Sequence, residues 1–214
     1  MTDSHCHLSC GDASVKELIA GRDFIGEHPW DFEKPFDIAR LRQELSERPS
    51  VAVGEIGLDR LREKTIPQAM RDLFEIQLEL ALEMHRPVVL HGAKCWGQVV
   101  AAIKRAVQFK AGTAFLFHGF SRSDGLIPEI VSLNGYISIG PSILNDHAVN
   151  YRAMARKIPI DRLLVETDRT VENASKRPHV REVLEKLAQI RGEDPRILEE
   201  ATDANAQRFI IQID

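Results

Sequence analysis

The chain contains no apolar run of about 18 residues or more, so a membrane-spanning helix is not its organising element. Asp3, His5 and His7 interrupt the opening residues where a secretory signal would need an unbroken apolar stretch, and a cytoplasmic protein is expected. Cysteine is scarce. Cys6, Cys10 and Cys95 form no CxxC pair and no even framework, which argues against structural disulfides. Low-complexity blocks are absent too, so no disordered segment is expected. Nor does one sign of charge dominate: 28 Lys and Arg against 32 Asp and Glu give a net charge of -4 and a pI near 6.1. That balance argues against a surface that coats DNA irrespective of sequence, while leaving room for a local basic patch beside a cleft. What remains is an ordinary globular composition, 43% apolar and 28% charged over 214 residues, enough to bury a sizeable core in one domain spanning 1–214.

The most informative stretch is 51–59, VAVGEIGLD. Its first three residues suit a strand buried on both faces, as in a parallel sheet covered by helices. Glu55 follows directly, with Gly54 and Gly57 expected to let the backbone turn tightly and leave room beside the acid, and Asp59 adds a second carboxylate. A solvated Glu in a Gly-rich turn would look the same in isolation.

Other segments repeat the pattern. TDSHCHL alternates, putting His5 and His7 on one face of a strand and Cys6 on the other, and two adjacent imidazoles can chelate one metal ion. Cys6 suits a small buried apolar role. Between Ser9 and Gly21 the signal is weak, with a short helix expected over 13–20. Residues 24–30, FIGEHPW, form an expected strand ended by His28 and Pro29. Helical spacing over 38–45, 66–84, 96–109, 126–133 and 147–158 alternates with strand-like runs at 87–91, 113–118, 136–139 and 163–168. Helices at 178–191 and 195–209, each with a proline in its first turn, close the sequence. Such alternation implies βαβ units and a parallel sheet of about seven strands: an α/β, TIM-like barrel, irregular or one βα unit short, with outer helices.

His5 and His7, Glu55, His91, His118 and Asp168 all fall at or just past the C-terminal ends of expected strands, the end that carries the chemistry in a parallel barrel. Any one of them could be a satisfied core or surface residue, but together they make a metal site the better explanation. Their number exceeds the needs of one tetrahedral ion, so a pair of divalent ions bridged by Glu55 is expected. Imidazole-rich ligation favours zinc or manganese, with magnesium the less suited alternative.

DSHCHL, GEIGLD, PVVLHGA, FHGFS and LLVETD, in that order, resemble the TatD family of metal-dependent hydrolases, and GEHPW and NAQRF extend the similarity over nearly the whole chain. The resemblance implies that His5, His7, Glu55 and Asp168 hold one ion, and Glu55, His91 and His118 the other. It also implies hydrolysis of phosphodiester bonds in DNA or nucleotides by a metal-activated hydroxide, with Glu55 and Asp168 as catalytic residues and Asp168 positioning or deprotonating the water. Hydrolysis of an amide or ester on the same metal pair is the alternative. A non-catalytic metal-binding protein would be expected to have lost ligands. No obligate protein partner and no membrane partner is indicated.

Departures from the family pattern bear on substrate. Between Leu8 and Phe24 a strand and a helix are expected to be missing, and with them a substrate-lining loop. Gly92, Ala93 and Lys94 follow His91, Arg169, Thr170 and Val171 follow Asp168, and Arg60 follows Asp59, each in place of the usual residues. Arg169 suits bidentate binding of a substrate phosphate, whereas Lys94 and Arg122 are either further anion contacts or solvated rim charges. Trp96 and Phe120 either stack on a base or pack in the core. His28 either lines the pocket or is structural; His85, His147 and His179 lie on expected helices or their ends.

Overall fold

The computed structural model describes residues 1–61, 64–107, 112–121 and 123–210. Its elements run β1 (Thr2–Cys6), β2 (Lys16–Ile19), β3 (Phe24–Ile25), α1 (Ile38–Glu47), β4 (Ala52–Asp59), α2 (Gln68–Glu83), β5 (Val88–Ala93) and α3 (Trp96–Val107). There follow β6 (Phe115–Phe117), α4 (Ile127–Ser132), β7 (Gly135–Ile139), α5 (Val149–Lys157), β8 (Leu163–Val165), α6 (Val180–Arg191) and α7 (Pro195–Ile210). Strands β3 to β8 pair in sequence order as one parallel sheet, and β1 pairs with β2 as a second.

The two sheets complete a ring. A single bridge, Ala20 to Phe24, joins β2 to β3. Between β8 and β1 the join is made without a ladder: Ser4 Oγ donates to Val165 O (2.9 Å), Asp168 N to His5 O (3.0 Å), and Thr167 N and Oγ1 to the two Asp3 oxygens (3.0 and 2.6 Å). Burial pushes the Asp3 carboxyl up to about 7, opposed by its bonds from Thr167. An irregular TIM-like barrel is thus the architecture.

Alternation along the strands explains how the barrel fills. One apolar residue from each of β2 to β8 (Leu18, Phe24, Ala52, Val89, Leu116, Tyr136 and Leu164) joins Ala206 and Phe209 of α7 in a single buried cluster, the interior floor. Their neighbours of opposite parity, such as Val88, Leu90, Phe115, Phe117, Ile137 and Val165, belong to the larger core shared with the outer helices. Asn205 ties α7 to the start of β8, its Nδ2 donating to Ile160 O (2.8 Å) and Leu163 O (2.7 Å). Two residues further along the inward rows come His91, His118, Ser138 and Glu166.

Several expectations are corrected. The stretch 13–20 is not helical: Lys16–Ile19 is β2. Eight strands are present among the described residues, so the region before Phe24 lacks helices and not a strand; neither 7–15 nor 20–23 contains one. The third strand ends at Ile25, and His28 caps a short 3-10 turn, Pro29–Asp31. Pro178 precedes α6, whose cap is His179 in a reciprocal bond pair with Glu182. Phe109, the expected end of α3, lies outside the described residues.

The largest correction concerns 51–59. Strand β4 does not end before Glu55 but runs through it to Asp59, its register with β5 breaking between Val53 and Ile56. The glycines therefore serve close approach and not a turn. At Gly57 (φ 148°) an added Cβ would lie 2.0 Å from His91 O, so only glycine lets β4 and β5 pair at the level where Glu55 meets His91.

Two alanine substitutions should therefore move stability in opposite directions. Gly57→Ala meets backbone that cannot yield and should cost about 2 kcal/mol or more. Gly97→Ala, in α3 with nothing within 4 Å of the new Cβ, should be neutral or stabilise by up to about 1 kcal/mol. Denaturant midpoints of the two variants check the pair.

Candidate active site

Glu55 is buried, and its two oxygens face different sets of imidazoles. Oε1 lies 2.8 Å from His91 Nδ1, 2.7 Å from His118 Nε2 and 3.6 Å from His28 Nε2. Oε2 lies 3.4 Å from His5 Nε2 and 3.5 Å from His7 Nε2. Asp168 Oδ1 closes the second set, 3.8 Å from His5 Nε2 and 3.7 Å from His7 Nε2. All six residues expected to ligate metal are thus brought together.

Local structure accounts for each placement. His5 sits on β1 and His7 just beyond it, where the His7 and Leu8 amides donate to Arg169 O (2.8 and 3.0 Å). His91 and His118 extend the inward rows of β5 and β6. Asp168 takes a left-handed backbone conformation (φ 50°), which short polar side chains tolerate, and this turns the chain sharply after β8.

Carboxylates stand behind two of the three histidines on the Oε1 side, His91 and His118. Asp59 Oδ2 lies 2.8 Å from His91 Nε2 and also accepts from Trp30 Nε1 (2.9 Å), while Asp59 Oδ1 accepts from the Leu61 amide. Behind His118, Glu166 Oε1 is 3.5 Å from Nδ1 and is itself fixed by the Gly119 amide (2.8 Å), with Ser138 Oγ on its other oxygen. A proton held toward Asp59 leaves His91 Nδ1 free for Glu55's side, and one held toward Glu166 leaves His118 Nε2 free.

Burial opposes ionisation of Glu55, yet His118 and His5 outweigh it and hold the carboxyl well below the usual range. His118 is raised well above an ordinary imidazole: burial opposes the charge, but Glu55 and Glu166 on either side overcome it. The His5 ring, stacked 3.8 Å from that of His118, is lowered by burial and by His118, because two stacked imidazoles resist sharing two protons. The cluster therefore calls for positive charge among its carboxylates, and His5 Nε2 is buried with no hydrogen-bond partner. Ligand-type atoms of His5, His7 and Glu55, of His5, His118 and Asp168, and of His28, Glu55 and His91 each lie within 4.8 Å of one another. Donor set, orphaned nitrogen and charge balance all fit divalent cations.

Two clefts meet at this cluster. One of about 700 Å³ runs from His7, Glu55 and His91 past β3 and the His28 turn to Phe36 and Arg40 of the α1 region. Ala20 and Gly21, just after β2, line it as well. The other, of about 1040 Å³, extends from Gly119 and Glu166 to Ser142 and His147, and Asp168 lines both.

Arg169, the expected substrate residue, lines neither cleft. Its NH1 donates to Ala174 O (2.8 Å) and its NH2 to Arg177 O (3.3 Å), so its guanidinium braces the loop after Asp168. Arg177 instead reaches Asp168, NH2 to Oδ2 at 3.4 Å. Trp96 and Phe120 are buried and pack on Phe117 and each other at 5.4–6.5 Å between rings, which leaves neither free to stack on a base. Lys94 is exposed, and Arg122 lies outside the described residues. His179 caps α6 and His85 follows α2, while His28 does join the cluster.

Sequence reasoning missed the roles of Glu166 and Arg177, and took Asp59 only as a second acid. For two of these a signal was available: Asp59 shares parity with Glu55, and Glu166 with Leu164 and Asp168. Arg177 offered none, being delivered by a loop.

The family model described as TatD related DNase matches residues 13–211. Among curated proteins, the chain is 33% identical over 201 residues to the "3'-5' ssDNA/RNA exonuclease TatD" of Cronobacter sakazakii, covering 87% of this chain and 76% of the relative. It is 28% identical to the "uncharacterized metal-dependent hydrolase YcfH" of Escherichia coli K12, over 93% of this chain and 78% of that one. Of solved structures, the TatD homologue YjjV of Escherichia coli K12 superposes with a TM-score of 0.77 at 28% identity, over 94% of this chain and 78% of that one. A family model spanning nearly the whole length, together with a relative of this identity and coverage, establishes that the chain belongs to the TatD-related DNase family and is a hydrolytic enzyme.

Proposed function

We propose that the protein is a divalent-metal-dependent phosphodiesterase acting on DNA or a smaller nucleotide. The observation that carries this is Glu55, whose two oxygens face two separate groups of imidazoles, the arrangement a carboxylate needs to bridge two cations. His5, His7, Glu55 and Asp168 would hold one ion, and Glu55, His91 and His118 the other, with zinc or manganese the best match to the imidazole-rich set. When bound, such ions supply Lewis-acid charge beside a phosphoryl oxygen and acidify water. The exonuclease name of the Cronobacter sakazakii relative supports a nucleic-acid substrate.

The protein's own groups would do the rest. Asp168 stands at the junction of the two clefts with Oδ1 toward His5 and His7, placed to orient water and accept its proton. Asp59 and Glu166 fix the rings of His91 and His118, so the ligand cluster is preorganised. His28 flanks Glu55 Oε1 at the mouth of the α1-side cleft, where it can donate to a substrate oxygen.

Glu55→Gln offers one neutral oxygen and a nitrogen that cannot ligate, so it should lose about two ions per chain, while His91→Ala should lose about one. Elemental analysis alongside turnover on a phosphodiester panel checks this, with amide substrates as the comparison; retention of both ions and near-normal turnover by Glu55→Gln would remove the bridge. Cleavage of amides and of no phosphodiester would replace the substrate assignment.

Asp59→Ala leaves the ligands in place but frees the His91 ring. Metal affinity measured by equilibrium dialysis should fall by about 10- to 100-fold for one ion and little for the other.

A further inference from the structure

The wall of the cleft beyond Asp168 carries a cation, Arg177, that is not among the residues proposed to hold metal. The loop from Asp168 to Arg177 is folded tightly on itself: Asn173 Oδ1 accepts from the Thr170 amide (2.8 Å), Asn173 Nδ2 donates to Asp168 O (3.3 Å), and the Arg177 amide donates to Asn173 O (3.0 Å). Arg169, as described, clamps the same loop through Ala174 and Arg177 carbonyls. The result is that Arg177, nine positions after Asp168 in sequence, returns beside its carboxylate and lines the cleft wall.

The guanidinium of Arg177 is under-used there. Arginines that brace the backbone here make at least one short bond to a carbonyl, as Arg169 does at 2.8 Å beside one of 3.3 Å and Arg191 does at 2.7 and 2.9 Å. Arg177 instead has a long contact, NH2 to Asp168 Oδ2 at 3.4 Å, while its side chain lines the cleft wall. An arginine fork with unspent donors, next to a reaction centre that handles phosphate, is suited to a phosphate oxygen. Around it the cleft offers Ser121, Ser142, Asn145 and His147, polar groups suited to a sugar-phosphate chain, while Lys157 is already paired with Asp124.

We propose that Arg177 and the cleft beyond Asp168 form a second phosphate subsite, which holds the phosphodiester adjacent to the one at the Glu55 cluster. A chain would then pass from the α1-side cleft over the ligand cluster into the Arg177 cleft, with Asp168 between the two phosphates. The preferred substrate class is accordingly an oligonucleotide with a charged phosphate flanking the cut, in preference to an isolated diester. This rests on the phosphodiesterase reading above.

The test uses the metal-loaded, full-length protein and two trinucleotides, one with natural phosphates and one whose phosphate next to the cut is a neutral methylphosphonate. For the unmodified protein the natural trinucleotide should show a KM lower by about tenfold or more, the scale of a charge-assisted hydrogen bond. Arg177→Gln should collapse that ratio to about one, and Arg177→Lys, which keeps the charge without the fork, should leave it intermediate. Circular dichroism confirms that each variant is folded. If the unmodified protein showed no preference for the charged flanking phosphate, the subsite would be refuted without any variant. If Arg177→Gln lowered kcat on both trinucleotides and kept the ratio, Arg177 would only position Asp168. Bis(p-nitrophenyl) phosphate separates the two levels: failure of the unmodified protein to cut it and both trinucleotides would overturn the phosphodiesterase reading itself.

Discussion

A buried carboxylate cannot stay ionised without positive charge around it, and in this protein that constraint falls on Glu55. Four histidines lie within 3.5 Å of its oxygens, delivered by β1 with the residue just past it, β5, and the end of β6. Three separate segments of a barrel are thus tied at one point. The rest of the mouth is arranged to make that convergence possible. Gly57 removes the side chain that would keep β4 from β5, the register break in β4 turns Glu55 into the cluster, and β1 is pinned to β8 through Asp3, Ser4 and Thr167.

The same electrostatic demand organises the surroundings. Each histidine on the Oε1 side of Glu55 that also carries a carboxylate behind it, His91 with Asp59 and His118 with Glu166, is held above the ordinary imidazole range in spite of burial. His5 has no such partner on Nδ1 and is lowered. Such a cluster would offer divalent cations an ionised carboxylate and imidazoles already turned toward it, with the protons of His91 and His118 released as cations bound.

The segments flanking β2, 7–15 and 20–23, contain no helix, and His7, Ala20 and Gly21 from them line the cleft on that side. Eight strands are present among the described residues, those that carry His5, Glu55 and His91 among them, and the space beside β3 is a cleft reaching α1. With the cleft beyond Asp168, this leaves the cluster at a junction open on two sides, a shape suited to an extended chain. No helix among the described residues is long and apolar enough to cross a membrane.

By itself the sequence determined the strand and helix alternation, the parity of His5 and His7, and the appearance of His91, His118 and Asp168 at strand ends. These are local properties, set by hydrophobic period and by where an apolar run stops. It misjudged the stretch 13–20 because a four-residue strand flanked by short turns carries too little periodicity to be told from helix. It misjudged Gly54 and Gly57 because a glycine needed for close approach to another strand looks the same as one needed for a turn. What only the tertiary structure decided is which charges meet. Asp59 reaching His91, Glu166 reaching His118, and Arg177 rather than Arg169 beside Asp168 depend on strand register and on a loop that folds back over nine positions, and no pattern within a segment encodes a contact made between segments.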